Sequence, residues 1–147
     1  MHSIKSLLAL PFALMVSRKV RKWAKKPIET QDKVFRNLIS SATKTVFGQD
    51  HDFISINSYE DFKKRVPVRN YEALKPYVDR VVSGEANVLW EGKPIYFAKT
   101  SGTTSGVKYI PITEASMPSH IEAARNAILL YIAETRKTNF VNGKMIF

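Results

Sequence analysis

Apolar positions along this chain recur mostly at the spacing of helices, and the exceptions are short runs that read as strands. Leu7 to Val16 is a block of ten apolar residues followed at once by Ser17-Arg18-Lys19-Val20-Arg21-Lys22. The block ends in positive charge rather than in a small-residue cleavage site, which argues against a secretory leader. It is also shorter than the roughly 20 residues that a transmembrane helix needs. An amphipathic terminal helix closed by Pro27 fits it better. From Asp32, Val34, Leu38, Ala42 and Val46 repeat every four residues with Ile39 widening the stripe, which predicts a helix ending near Gly48.

Ser58 precedes Asp61 by three residues, an N-cap signal for a short helix whose Tyr59, Phe62 and Val66 share a face before Pro67. Tyr71, Leu74, Val78, Val81 and Val82 predict a further helix, with Pro76 splitting it into a turn and a restart and Gly84 ending it. Trp90 to Pro94 reads as a turn into a strand over Ile95 to Lys99, with Trp90 as an aromatic lid on the core. Tyr109 to Ile112 is a second strand, and Pro111 puts it at an edge or a bulge. Thr113 then stands where it would cap the longest helix, with Met117, Ile121, Ala124, Ile128 and Tyr131 or Ile132 on one face. Asn142-Gly143 predicts a turn, and Lys144 to Phe147 the start of an apolar strand. A chain that stops inside such a run reads as the amino-terminal part of a longer protein.

Between the two strands lies Lys99-Thr100-Ser101-Gly102-Thr103-Thr104-Ser105-Gly106-Val107-Lys108. Gly102 and Gly106 allow positive φ, so successive N–H groups can converge on one point, and the hydroxyls of Ser101, Thr103, Thr104 and Ser105 add rotatable donors. Lys99 and Lys108 supply charge at the two ends. An oxygen-rich anion suits this inventory, although the composition alone also fits a solvated turn. Only three residues separate the glycines and Val107 precedes Lys108, so the segment is not a Walker A loop, and no G-x-G-x-x-G is present.

Composition narrows the remaining chemistry. At 147 residues, 44% hydrophobic and 11% aromatic, the chain can build a core, and without cysteine it has no disulfide, thiolate metal site or cysteine nucleophile. His2, His51 and His120 fall in no metal-ligand register, and His51-Asp52 reads as a surface turn, so no metal site is assigned. No Gly-x-Ser-x-Gly elbow occurs and Ser101 lacks an evident base, so no catalytic residue is assigned. Of the net charge of +10, residues 1–26 carry +7, with seven Lys or Arg and no acid. That segment fits a solvated basic helix face, a weak contact with a membrane surface, or nucleic-acid attraction without a nucleic-acid-binding motif.

Thr100-Ser101-Gly102-Thr103-Thr104-Ser105-Gly106, with Lys108 and Pro111 after it, resembles the phosphate loop of the adenylate-forming superfamily of acyl-CoA synthetases and luciferases. Tyr59-Glu60-Asp61-Phe62-Lys63 through Val66-Pro67, Tyr71-Glu72-Ala73-Leu74-Lys75-Pro76-Tyr77, Gly84-Glu85, Leu89-Trp90 and Phe97-Ala98-Lys99 extend the likeness. Together they resemble the amino-terminal part of the auxin-responsive acyl-acid amido synthetases in their bacterial form, from about Asp32 to the end.

The resemblance implies an α/β fold, the helix-rich amino-terminal part of an adenylate-forming large domain with a few short strands around the phosphate loop. Residues 1–26 would be a basic amphipathic helix and 27–147 an incomplete adenylate-forming domain. It implies ATP and Mg²⁺, a small-molecule carboxylic acid and an amine acceptor such as an amino acid, and a cytoplasmic enzyme without a nucleic-acid partner. Ser101, Gly102, Thr103, Thr104, Ser105, Gly106 and Lys108 would hold the nucleotide phosphates. The adenine site and second half-reaction would lie beyond Phe147, leaving this segment alone inactive. The alternative is a non-catalytic membrane-surface or nucleic-acid-binding module built on residues 1–26.

Overall fold

The computed structural model describes residues 4–101 and 106–143. These residues form helices α1 (Ile4–Ala24), α2 (Pro27–Ala42), α3 (Val46–Asp50), α4 (Tyr59–Arg65), α5 (Tyr71–Val82) and α6 (Met117–Thr135). Two strands, β1 (Tyr96–Thr100) and β2 (Lys108–Ile112), and 3-10 turns at Phe53–Ser55 and Asn139–Asn142 complete the order. The helix-rich architecture with a small sheet agrees with the expected class. The predicted strand from Lys144 lies outside the described residues. Two compact units emerge, one of residues up to Thr30 together with those from Pro118 onward, the other Gln31–Met117.

In the first unit, Ala13 and Val16 of α1 are buried with Leu129, Ile132 and Ala133 of α6. Ser6 Oγ and Thr138 Oγ1 share a 2.7 Å hydrogen bond beside this core. Thr113 makes the expected N-cap bonds over the turn that leads into α6: its Oγ1 accepts the Ser116 N–H at 3.2 Å, Ser116 Oγ accepts the Thr113 N–H at 3.0 Å, and its carbonyl accepts the Met117 N–H, with the helix itself beginning at Met117. Helix α6 is not the longest, since its 19 residues fall short of the 21 of α1. Burial starts only at Leu129, leaving Ile121 60% exposed. Periodicity marks a face, and only packing decides how much of it is covered.

Pro27 ends one helix and starts the next. It is the first residue of α2, where its missing N–H would have had no partner, so α2 begins at Pro27 rather than Asp32. The buried side of α2 is Ile39 and Ala42, with Phe35 against the same core; Val34 and Leu38 are 53% and 52% exposed. The predicted stripe from Val34 to Val46 is interrupted. Thr45, 1% exposed, donates its hydroxyl to the Ala42 carbonyl at 2.7 Å and accepts the Gly48 N–H at 3.0 Å, so one side chain ends α2 and caps α3. Gly48 is therefore an interior, buried residue of α3 and not a stop signal.

Ile39, Ala42, Phe53 and Ile56 form the second core, with Phe62, Val66 and Trp90 packed against it, so Trp90 covers the core as expected. Ser58 accepts the Asp61 N–H at 3.1 Å and caps α4. His51 is not on the surface: it is buried, stacks on Phe47 with ring centroids 4.1 Å apart, and bonds the Phe47 carbonyl through Nδ1 at 2.7 Å. Arg69 Nη1 donates to its Nε2 at 2.8 Å. A carbonyl only accepts and a guanidinium only donates, which fixes the neutral ring with its proton on Nδ1. The pairing of His51 with Arg69 is non-local, which is why the adjacent His-Asp pair misled.

Helix α5 is continuous through Pro76 instead of restarting there. Asn70 caps it by accepting the Ala73 N–H, Val78 and Val81 are buried, and the carbonyl that Pro76 leaves unbonded belongs to exposed Glu72. Capping and burial outweigh one lost hydrogen bond. At the other end Gly84 takes φ +93, with Gly84 N–H on Val81 O and Glu85 N–H on Arg80 O, the paired bonds of a Schellman ending.

Candidate functional site

β1 and β2 pair antiparallel in the register Tyr96↔Ile112, Phe97↔Pro111, Ala98↔Ile110, Lys99↔Tyr109 and Thr100↔Lys108. Each strand starts within a residue of its expected place, and Pro111 lies in a two-stranded sheet in which both strands are edges. Thr100 stands opposite Lys108, where the pairing ends on the side of residues 101–107. The Ser/Thr/Gly-rich segment is thus held at both ends by strand pairing.

Ser101 leaves β1 exposed, and Gly106 enters β2 at φ +76. A Cβ built on Gly106 meets nothing within 4 Å among the described residues, and its positive φ is the conformation that favours glycine. Gly102, Thr103, Thr104 and Ser105 lie outside the described residues. Opposed residues share a face and faces alternate, so Lys99 and Tyr109 lie on one side of the hairpin, and Thr100 and Lys108 on the other. Each lysine rests over a tyrosine: Lys99 Nζ is 5.2 Å from the Tyr109 ring centroid, and Lys108 Nζ 5.6 Å from that of Tyr71. The two charges lie on opposite faces of the strand pair.

The root of the hairpin is fastened to α5. Tyr109 donates its backbone N–H to Tyr71 Oη at 2.9 Å, and Phe97 packs edge-on against Tyr109 with ring centroids 6.1 Å apart. Tyr71 therefore positions the strand that carries Lys108, a role that reading along the chain did not reveal. Its only local signal is its place as first residue of a helix capped by Asn70. Upstream, Asn87 at φ 59 and Gly92 at φ 77 close the turn leading to β1: Asn87 N–H donates to Gly92 O, and Gly92 N–H to Asn87 Oδ1. No cluster of His, Cys, Asp or Glu able to hold a metal occurs among the described residues. Nor, among them, is any helix long and apolar enough to cross a membrane.

Residues 16–147 match the GH3 family N-terminal domain. The chain is 39% identical over 79 residues to the 4-substituted benzoates-glutamate ligase GH3.12 of Arabidopsis thaliana, covering 53% of this chain and 14% of that protein. It is 29% identical over 135 residues to the Indole-3-acetic acid-amido synthetase GH3.15 of Arabidopsis thaliana, covering 80% and 22% respectively. With the Jasmonoyl-L-amino acid synthetase JAR4 of Nicotiana attenuata the identity is 31% over 87 residues, 58% of this chain and 15% of that one. The chain thus spans about a fifth or less of the length of these relatives. No solved structure matches it. A match to that family over residues 16–147, nearly the whole chain, establishes that this chain belongs to the GH3 family and lies in its amino-terminal domain.

Proposed function

We propose that the chain is the phosphate-binding amino-terminal part of an ATP-dependent acyl-acid amido synthetase. The observation that carries this reading is the family match over residues 16–147, within which the Ser/Thr/Gly segment stands in sequence between β1 and β2. The relatives' names, ligase or synthetase joining an acid to an amino acid, supply the reaction class.

In such a reaction a carboxylate oxygen attacks the α-phosphorus of ATP, the bond to the β-bridging oxygen breaks, and pyrophosphate leaves. An amine then attacks the acyl carbon, forming the amide as AMP departs and the amine loses a proton. Negative charge builds on the departing pyrophosphate, where fixed donors stabilise it. Ser101, Thr103, Thr104 and Ser105, with the N–H groups about Gly102 and Gly106, would supply them. Lys108 would offset charge from the β2 side. The donor set suits phosphate oxygens, since it consists of hydroxyls, amides and cations. Mg²⁺ bound to those oxygens would neutralise part of their charge. We place the enzyme in the cytoplasm, where ATP is abundant.

The test is carboxylate-dependent ATP–pyrophosphate exchange in the complete enzyme that carries this segment. Thr103→Ala and Thr104→Ala should each lower exchange by about 10²-fold, the effect of removing one charge-stabilising donor. Unchanged exchange in both variants removes the loop from the reaction.

A further inference from the structure

Helix α1 has two faces. Its inner face, which includes Ala13 and Val16, is packed into the core with Leu129 and Ile132. Its outer face is built as two halves in series. The first half is apolar and open to solvent: Ile4, Leu7, Leu8, Phe12 and Met15 are 78%, 72%, 61%, 43% and 56% exposed. In the second half Arg18, Lys19 and Lys22 are exposed beside Trp23, and Lys25 and Lys26 follow.

Helical geometry of about 100° per residue places Ile4, Leu8, Met15, Arg18, Lys19 and Lys22 within an arc of about 100°, over a length of about 27 Å. One line of sight thus meets hydrocarbon first and cations next. No acid within residues 1–26 offsets this charge. Among the described residues Arg18, Lys22 and Lys25 join no ion pair, Lys19 and Arg21 reach Glu122 and Glu134 only at 3.5 and 3.6 Å, and Lys26 pairs with Glu29 at 2.9 Å. The family match begins at residue 16, so the apolar half of the face precedes it.

A basic face alone would suit nucleic acid, and an apolar face alone would suit protein. The two in series complement a surface that offers acyl chains beside negative headgroups. We propose that α1 seats this protein peripherally on anionic lipid membranes, Ile4, Leu7, Leu8, Phe12 and Met15 entering the acyl–headgroup boundary while Arg18, Lys19, Lys22 and Lys25 pair with lipid phosphates. The helix lies on the surface, its inner face remaining in the protein core. Ligase chemistry plays no part in this attachment.

Co-sedimentation of the whole chain with phosphatidylcholine vesicles, with and without phosphatidylglycerol, tests it. Binding should require phosphatidylglycerol and fade between about 0.1 and 1 M salt, as the screening length shrinks from about 10 to 3 Å. The pair Arg18→Glu with Lys22→Glu should weaken it by about 25-fold or more, at about fivefold per cation lost. The pair Leu8→Glu with Met15→Glu should abolish it, and Trp23 emission should shift to the blue on binding. All four positions are solvent-exposed, so both double variants should keep the parent's circular dichroism; should the apolar pair unfold, the charge pair decides. Equal binding to neutral vesicles, or indifference to the charge pair, overturns the proposal. So does a duplex oligonucleotide that binds the chain as tightly and ignores the apolar pair, or a dimer that Leu8→Glu converts to monomer.

Discussion

Single side chains make several of the joints in this chain. Thr45 links the end of α2 to the start of α3 only because Gly48 lets the two approach: a Cβ at Gly48 would stand 2.0 Å from the Ala42 carbonyl oxygen. Gly48→Ala should therefore lower stability by at least about 3 kcal/mol, at the top of the overpacking range, as read by urea unfolding. At the start of α4, Asp61 accepts from the Ser58 hydroxyl and from the Asn57 N–H, which holds its carboxyl below the ordinary 3.8. The ionised form thus stabilises the fold at neutral pH. That contribution is lost as pH falls from about 4 through the lower folded value, so Asp61→Asn should flatten this part of the acid-unfolding curve. Tyr71→Phe removes the acceptor of the Tyr109 N–H and should cost about 1 kcal/mol, with faster exchange of that amide as the local readout.

Elements were legible where their signals are local. The Ser58 cap, the Gly84 ending and the two strand positions follow from sterics and hydrogen bonds within a few residues, and the structure contains them. Helix α5 shows where local rules are outvoted. Pro76 opposes the helix, yet the Asn70 cap and buried Val78 and Val81 carry it through. Pro76→Ala should then raise stability by about 1–3 kcal/mol, since it removes the interior penalty without touching a buried group; thermal unfolding would record it. No gain would mean that the helix is bent to suit the proline. The hairpin is the mirror case: its strands were readable, but the placement of Lys99 and Lys108 on opposite faces follows from register.

At the scale of the whole chain, the family assignment was readable from motif and flanks, and the profile match extends it back to residue 16. The phosphate-binding role of Thr103 and Thr104 rests on sequence and reaction chemistry, and the exchange experiment addresses it directly. The joining of α1 to α6 was not readable. Residues 25–116 separate them, and no periodicity within either names its partner. One consequence is that removing residues 1–26 would strip Ala13 and Val16 from Leu129 and Ile132. Point substitutions on the exposed face of α1 are therefore the cleaner probe of what that face does.

Residue order alone determined most helical segments, the two strands, the Ser58 cap, the Gly84 ending and the kinship, because these depend on contacts a few residues long or on the motif itself. Tertiary structure decided which stripe of α2 is buried, that His51 is a buried neutral ring, that Tyr71 holds the root of the hairpin, and that α1 keeps one face in the core and leaves the other open. Those outcomes are choices among non-local partners, and burial is settled only when the partners meet.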